Sequence, residues 1–478
     1  MSSHIKGQGR SQVTLFPEAL DDFVTEDNPV RVIDIFVEEL DLQHMGFKRV
    51  IAQRTGRPGY HPGTLLKLYI YGYLNRIQSS RRLEKEAHRN VELMWLLERL
   101  TPDFKTIADF RKDNSEGIKN ACRHFVDICR EMNMFTEAIV AIDGSKFKAV
   151  NSKPNNFTPQ KAKDHIERIE SSINKYLTML DEADERDVSD AKVNLMKEKL
   201  AWLKKRLGEL QEIKEIVEAH PDKQISLTDP DARLLKTKNM ERQVCYNIQS
   251  AVDTKHHLIV SHEVTNTNDR GQLTRMTEAA QTALKQTDIT VLADKGYYGR
   301  ADVKATLDLG ANPLVPKTDT SGSGRKGIFN RSQFKYNKQK DVYTCPAGNE
   351  LPNSRRGWDD GLEQDFYYNH IACRDCTIRS KCTTSKREPR RIKRWLHESE
   401  IEAMLARLDD VPEATVTRKQ TVEHPFGTIK MWMGASHFLT RQFKNVSTEM
   451  NLHVLAYNMK RMMSIMGVKG LTEAIRAA

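Results

Sequence analysis

The sequence predicts an α/β protein in which a mixed sheet follows an all-helical N-terminal domain. Three observations lead to this fold class. Short amphipathic segments fill residues 29–132, as in helical domains. Two apolar runs, 138–142 and 290–293, have the length and composition of buried strands. Beyond Pro221 the apolar period changes to two, and the strands and helices that follow are typical of a mixed sheet.

The composition limits the class of protein. A chain of 478 residues suggests two to four domains. The net charge of +10 favours a polyanionic partner, most simply nucleic acid, although many basic proteins bind no polyanion. The sequence contains no apolar run long enough to cross a membrane, and residues 1–10 lack the apolar core of a secretory signal. We therefore expect a cytoplasmic protein without a membrane partner.

Residues 1–135 predict a helical domain. Thr106 and Asp109 resemble a capping box at the start of one helix. Several short helices joined by tight turns are typical of helix-turn-helix DNA-binding modules, but a bundle that serves only as a scaffold has the same pattern. The expected helices cover residues 29–40, 63–74, 80–89, 91–100, 106–114 and 116–132, with a short helical piece at 17–24.

The run at 138–142 leads directly into Asp143 and Gly144. A buried strand that ends on an acid places a carboxylate at the edge of a sheet. Taken alone, this pattern is more often an Asp-Gly turn after a core strand. The run at 290–293 also ends on an acid, Asp294. The repeated form makes both acids candidates for one site.

Residues 159–220 predict an antiparallel helical hairpin inserted into the first part of the core, 136–317. Apolar residues recur at helical spacing on both arms, and the polar segment 184–190 separates them. We expect this hairpin to serve structure or oligomerisation. The rest of this part predicts paired strands at 243–249 and 257–263, helices at 273–286 and 300–309, and a strand at 312–316.

Residues 318–410 predict a cysteine-containing insertion that opens with a Ser/Gly-rich linker, 318–327. A C-x2-C pair with two outlying cysteines can surround one Zn²⁺, so we expect a structural zinc site, with reduced thiols as the alternative. The segment 385–394 carries six basic residues, among them Arg390 and Arg391, and predicts a phosphate-binding strip or a solvated face. The four cysteines are Cys345, Cys373, Cys376 and Cys382.

Residues 411–478 predict the C-terminal part of the core, with a final amphipathic helix at 445–467. Glu423 and Lys430 lie on the preceding helix, two turns apart on one face. Asp143, Asp294 and Glu423 are candidates for a shared Mg²⁺ site, because this ion prefers carboxylate ligands. Two such ions can activate a hydroxyl and stabilise the leaving oxygen in phosphoryl transfer. The separations along the chain do not establish this site by themselves.

Five motifs, in order, resemble those of bacterial insertion-sequence transposases with an Asp-Asp-Glu catalytic core. The resemblance spans residues 12–465 and implies an RNase H-like core in which Asp143, Asp294 and Glu423 bind two Mg²⁺ or Mn²⁺ ions. The motifs are Tyr60-His61-Pro62 with the helical stretch to Arg111, Ala141-Ile142-Asp143-Gly144-Ser145-Lys146, Ala293-Asp294-Lys295-Gly296-Tyr297-Tyr298, Tyr343-x-Cys345-Pro346-x-Gly348 with the later cysteines, and Val422-Glu423-His424-Pro425-Phe426-Gly427 with Lys430.

The resemblance also implies residues that contact DNA. The family signature Tyr-x2-Arg-x3-Glu-x6-Lys ends here on Glu423 and Lys430, whereas Val416 and Lys419 stand at its Tyr and Arg positions. Lys430 and either Arg418 or Lys419 are therefore expected to contact a phosphate.

Three further basic residues and two aromatic residues complete the expected DNA contacts. Lys146, Arg390 and Arg391 are the basic ones. Relatives with an insertion before the Glu helix can hold a flipped base on an aromatic side chain, a role open to Trp358 or Trp395. Packing within the insertion is the alternative for both tryptophans.

The implied reaction is hydrolytic nicking at the element end, followed by attack of the freed 3′-hydroxyl on DNA. The implied partners are double-stranded DNA with terminal inverted repeats, target DNA, and further copies of the chain in a homodimer or larger oligomer at the nucleoid. Two alternatives stay open. One is a non-catalytic DNA-binding protein derived from a transposase, and the other is a metal-dependent nuclease of the same fold.

Overall fold

The structure is a computed structural model that describes residues 19–52, 58–151, 153–185, 190–237, 241–317, 327–385 and 387–477. Some of the sequence predictions lie outside these ranges. They concern the start of the helical piece at 17–24, most of the polar turn at 184–190 and nearly all of the linker at 318–327.

The N-terminal region is helical, as predicted. A 3-10 turn, Leu20–Phe23, stands within the predicted first piece. The capping prediction at Thr106 is wrong, because the Asp103 carboxylate accepts hydrogen bonds from the backbone N–H groups of Lys105 and Thr106, both at 3.0 Å, and the helix begins two residues earlier. The helices are α1 (Val30–Glu38), α2 (Pro62–Leu74), α3 (Ser80–Ala87), α4 (Val91–Leu96), α5 (Phe104–Asp113) and α6 (Ser115–Glu131).

The elements of the core follow the predicted order. The first strand, β1 (Ile139–Lys148), leads to the hairpin arms α7 (Pro159–Glu185) and α8 (Asp190–Ala219), whose base is closed by β2 (Asn156–Phe157) and β3 (Ile225–Ser226). The chain then forms β4 (Arg233–Lys236), β5 (Arg242–Asp253), β6 (Ile259–Thr265), α9 (Leu273–Leu284), β7 (Thr290–Ala293), α10 (Arg300–Asp308) and β8 (Asn312–Leu314).

The sheet has the strand order β6-β5-β1-β7-β8, with β4 beside the first residues of β5. β5 is antiparallel to β1 and β6, whereas β7 and β8 run parallel to β1. This order and these directions are those of the RNase H-like core, which confirms the predicted fold class. The pairing of β1 with β5 runs from Val140↔Asp253 to Lys148↔Cys245, so the hairpin is an excursion between two neighbouring strands.

The cysteine-containing insertion forms its own antiparallel sheet, which the sequence analysis did not predict. The strand order is β13-β12-β11-β10-β9, and aromatic residues dominate its small core. The elements are β9 (Lys335–Asn337), β10 (Val342–Thr344), β11 (Glu350–Asp359), β12 (Leu362–Tyr367), α11 (His370–Arg374) and β13 (Ile392–Trp395).

The last helices join the N-terminal region to the sheet. α12 (Glu398–Asp409) and α13 (Ala414–Gly427) precede a π-helical turn at Thr428–Trp432 and the long α14 (Phe443–Ala477), which is interrupted at Gly467. On α14, the His453 ring lies 4.5 Å from that of Tyr73, and the Asn458 amide bonds the N–H and C=O of Ile259, both at 2.9 Å. One hydrophobic core therefore continues across the predicted boundary after residue 135. None of the described helices is long and apolar enough to cross a membrane.

Candidate active site

Asp143 and Asp294 are brought together by the parallel pairing of β1 and β7. The last paired residues are Ile142 and Ala293, and each acid is the next residue along the chain. Because parallel strands in register carry corresponding residues side by side, the two carboxylates meet where the pairing stops. The prediction that the first strand ends on Asp143 is wrong, since β1 continues to Lys148 along β5.

Arg418 of α13 lies between the two carboxylates. One guanidinium nitrogen, Nη2, is 3.8 Å from Asp143 Oδ2, and the other, Nη1, is 3.7 Å from Asp294 Oδ2. These distances are too long for hydrogen bonds, so the contact is one of charge. The Arg418 side chain is only 12% exposed, and Nη1 has no hydrogen-bond partner among the described residues. Arg418 therefore contacts both acids, and within the described residues its Nη1 still has a donor free for the phosphate contact that the sequence predicts.

The surroundings of Asp143 oppose its negative charge. Burial raises the pKa of its carboxyl from 3.8 to about 6, against the attraction of Arg418. The nearby Asp294 and Asp269 carboxylates raise this pKa further, and the hydrogen bond from the Gly144 N–H lowers it. Burial of a carboxylate among other acids is costly unless a cation stands nearby. The pair is therefore suited to bind positive charge.

A largely buried polar network lies next to the ends of the two strands. The Asp269 carboxylate accepts hydrogen bonds from the side-chain amides of Asn247 (2.8 Å) and Gln249 (2.9 Å) on β5. The side-chain oxygen of Gln249, Oε1, accepts a hydrogen bond from the Tyr297 hydroxyl. Tyr297 ends a short turn after Asp294, whose Oδ1 accepts the Gly296 N–H at 2.6 Å. The network thus links the turn after β7 to β5.

The network explains the glycine after Asp143. A Cβ atom on Gly144 would lie 2.2 Å from Asp269 Oδ1 and 2.5 Å from Gln249 Nε2. Sequence reasoning had no signal for Asp269, Asn247 or Gln249, because they lie in a polar loop and on an interior strand. Tyr297 lies in the motif at 293–298, but the sequence pattern did not predict a role for it.

Lys430 is anchored to β1 just beyond Asp143. Its Nζ donates hydrogen bonds to Ser145 Oγ (2.7 Å) and to the Lys146 carbonyl oxygen (2.8 Å), and it lies 4.4 Å above the Phe147 ring. It belongs to the π-helical turn rather than to α13. The two helical turns predicted between Glu423 and Lys430 are therefore only partly α-helical. The Lys430 ammonium thus lies on β1 two to four residues beyond Asp143, whereas Lys146 contributes only its carbonyl oxygen to this contact.

Glu423 lies on α13 with its side chain exposed, and it makes no hydrogen bond or ion pair with the described part of the chain. The adjacent Val422 is buried in a cluster with Ala141 and Leu292, each two residues before an aspartate. The backbone of α13 is thus anchored beside both strand ends, although the carboxylate faces solvent. Lys419 is also exposed. The structure therefore brings together Asp143, Asp294 and Arg418 but leaves Glu423 apart.

The insertion corrects two of the expected DNA contacts. Trp395 is only 6% exposed, so it packs in the core and cannot hold a flipped base, whereas Trp358 is 73% exposed. Arg390 also has an internal role, since its Nη2 donates to the Phe329 carbonyl oxygen at 3.5 Å and its guanidinium lies over the Phe334 ring. Arg391 is exposed and pairs with Glu388 at 2.5 Å.

The four cysteines of the insertion line one cavity of about 20 Å³. Within the described ranges, however, no three His, Cys, Asp or Glu side chains are grouped so that they could hold a metal ion. The zinc prediction is therefore not supported. Burial raises the pKa of the Cys382 thiol to about 11, as expected for protonated thiols.

Comparisons with known proteins point to one family. The family model described as Transposase DDE domain matches residues 217–459, just over half of the chain, and a Transposase domain (DUF772) matches residues 18–113. No curated protein matches the chain. Among solved structures it is similar to the piggyBac transposase in a synaptic complex with hairpin DNA, with 9% identity and a TM-score of 0.29 over 94% of this chain and 79% of that one. At this TM-score the likeness carries no weight.

The raised pKa of Asp143 predicts that its ionised carboxyl destabilises the metal-free protein. In the presence of a chelator, Asp143→Asn should raise the free energy of unfolding by about 3 kcal/mol at pH 8. Because the folded protein binds the proton more tightly than the unfolded chain, the wild-type protein regains stability as the pH falls through 6. About half of the difference should remain at pH 5.

Urea unfolding at both pH values measures this difference, and the exposed Asp375→Asn variant serves as a control without effect. A less stable Asp143→Asn variant at pH 8 would mean that the attraction of Arg418 outweighs burial.

The contacts around Gly144 predict that Gly144→Ala is destabilising. The added methyl group would overlap Asp269 and Gln249, at a cost of roughly 1–3 kcal/mol in the free energy of unfolding. Gly357→Ala is the matched control, because that strand glycine has its nearest neighbour, Phe366, at an ordinary 3.7 Å. Equal unfolding midpoints for the two variants in urea would show that the network tolerates the methyl group.

Proposed function

The chain belongs to the transposase family with a DDE domain, and we propose that it cleaves and joins DNA at the ends of an insertion sequence by a cut-and-paste reaction. Members of this family are in general enzymes that cut and join DNA. The observation that carries the proposal for this chain is the pairing of β1 with β7, which sets Asp143 beside Asp294 at one edge of an RNase H-like sheet. Glu423 is the proposed third acid.

The proposed cofactor is Mg²⁺ or Mn²⁺, in two sites held by Asp143, Asp294 and Glu423. The two adjacent carboxylates form a site suited to positive charge, part of which Arg418 supplies when no metal is bound. Hard divalent cations prefer such oxygen ligands. When bound, they would activate the attacking oxygen and stabilise the leaving one. Glu423 contributes as a ligand only if its exposed side chain turns toward the sheet edge, beside which Val422 anchors its helix.

The proposed reaction has two phosphoryl transfers. In the first, water attacks the phosphorus at the element end, the bond to the 3′ oxygen breaks, and a 3′-hydroxyl is released. In the second, that hydroxyl attacks a phosphorus of the target DNA, a new P–O bond forms and the target's 3′ oxygen leaves. Lys430, held on β1 by Ser145, supplies a positive charge for the phosphate beside the aspartates. Arg418, rather than the exposed Lys419, is the proposed second phosphate contact.

The proposed DNA partners are a duplex with terminal inverted repeats and a target duplex. The N-terminal helices support this, because α3 exposes Arg81, Arg82 and Lys85 on one short helix. Arg391 on the insertion and Lys146 on β1 are further proposed phosphate contacts. Two ends must be held at once in such a reaction, which favours at least a homodimer. Action on chromosomal DNA would take place at the nucleoid in the cytoplasm.

Two alternatives differ from this proposal in chemistry. A non-catalytic DNA-binding descendant of a transposase has no use for a carboxylate pair, yet Asp143, Asp294 and Glu423 are all present. A metal-dependent nuclease of the same fold would cut but not join. The test is to incubate the protein with Mg²⁺, end DNA carrying a 3′-hydroxyl and a plasmid target. Only a transposase produces joined DNA, so this assay distinguishes the proposed transposase from both alternatives.

Replacement of any one acid is predicted to abolish strand cleavage. Asp143→Ala, Asp294→Ala and Glu423→Ala should each lower the Mg²⁺-dependent nicking rate by roughly 10³-fold or more, the scale of losing a charge contact in the transition state. Binding to end DNA should persist, since these residues are not phosphate contacts. Gel assays of nicking and of mobility shift measure the two properties.

The exposed Asp375→Ala variant is the control for these substitutions and should cut like the wild type. Retained cleavage in one of the three variants would remove that residue from the proposed site.

A further inference from the structure

The second arm of the hairpin, α8, carries two parallel stripes of apolar residues at seven-residue spacing. The first stripe is buried against α7 and stabilises the hairpin; its members are Met196, Leu203, Leu210 and Val217. The second stripe lies one residue earlier in each repeat and faces solvent; its apolar members are Leu195, Trp202 and Ile216, which are 66%, 54% and 51% exposed. The hairpin is thus complete without the second stripe.

Residues at a seven-residue spacing lie along one line of a helix, as do the residues at one of the two core positions in a seam between two helices. The exposed stripe follows this repeat over about 30 Å of helix. The third of the four positions is Glu209, so the stripe is apolar at both ends and at Trp202. Large exposed apolar side chains aligned in this way mark an interaction surface. The stripe therefore indicates that another helix packs along α8.

The charge along α8 identifies that helix. Residues 190–207 contain six basic and two acidic side chains, whereas residues 208–219 contain one basic and four acidic ones. A second α8 in antiparallel orientation would place each basic part against an acidic part. A parallel orientation would set like charges against each other. A second copy of this chain is thus complementary to the surface in charge as well as in apolar pattern.

The spacing fits the same arrangement. Leu195 lies seven residues before Trp202, and Ile216 lies seven residues after Glu209. An antiparallel pair centred between Trp202 and Glu209 therefore sets Leu195 of one copy opposite Ile216 of the other. Lys199 lies 4.3 Å above the Trp202 ring and can flank the seam with its aliphatic stem.

We propose that the α8 helices of two copies pack antiparallel along Leu195, Trp202 and Ile216 and form a homodimer without DNA. A two-fold axis then crosses the pair between Trp202 and Glu209, so each copy contributes the same surface. This inference does not rest on the proposed activity. The catalytic acids lie outside the hairpin, so a dimer could form in a protein that cuts nothing.

The first experiment measures the mass of the full chain in solution. Sedimentation equilibrium of the wild type at micromolar concentration should give a dimer. Trp202→Ala combined with Leu195→Ala should weaken the dimer by at least roughly ten-fold in Kd, since a central Trp is a frequent hot spot. Trp358→Ala, which removes an even more exposed Trp from the insertion, should leave the Kd unchanged.

The second experiment exchanges charges and tests the orientation. One variant carries Lys197→Glu, Lys204→Glu and Lys205→Glu, and the other carries Glu212→Lys, Glu215→Lys and Glu218→Lys. Each alone should be monomeric, because its antiparallel pair would oppose like charges. An equimolar mixture should restore a dimer. Circular dichroism should show unchanged helix content in both variants.

Three results would overturn the proposal. A monomeric wild type, or a dimer that keeps its Kd in the Trp202 and Leu195 variant, would show that the stripe does not hold two copies together. Charge variants that fail to pair when mixed would contradict the antiparallel orientation. A stripe variant that loses affinity for DNA while its mass is unchanged would assign the surface to nucleic acid instead.

Discussion

The structure depends on one arrangement, the two carboxylates of Asp143 and Asp294 held side by side at the end of two parallel strands. Such a pair is unfavourable by itself, because burial and mutual repulsion both oppose its charge. The guanidinium of Arg418 offsets part of this cost, and the Asp269–Gln249–Tyr297 network fixes the backbone beneath the pair. The charged pair thus lowers the stability of the protein at a site suited to positive charge, and such local destabilisation is common at functional sites.

Local sequence predicted the strands that carry the acids but not their setting. A short apolar run followed by an acid was sufficient to predict the bounds of β7 correctly. The same pattern did not predict the end of β1. The mostly polar residues after Asp143 remain in this strand because they pair with β5, which follows the hairpin in the chain. The inserted hairpin also separates Asp143 from the matched region 217–459. Only the folded structure therefore shows that the three acids belong to one domain.

Other features depend on packing that a single sequence does not encode locally. Whether Arg418 or Lys419 faces the acids is decided by the rotation of α13, which the burial of Ala414 and Val422 fixes. The interior position of Trp395 follows from a sheet in the insertion whose strands were not predicted. The zinc prediction assumed that clustered cysteines converge on one ion, whereas the four thiols only share a small cavity.

The central claim, that the two aspartates and the Glu423 helix form one cation site, can be tested without DNA. Fe²⁺ replaces Mg²⁺ at carboxylate sites, and with ascorbate and peroxide it generates hydroxyl radicals that cut the nearby backbone. We expect cuts close to residues 143, 294 and 423 that excess Mg²⁺ suppresses. Fragments that map elsewhere, with the ends of β1 and β7 intact, would contradict the account.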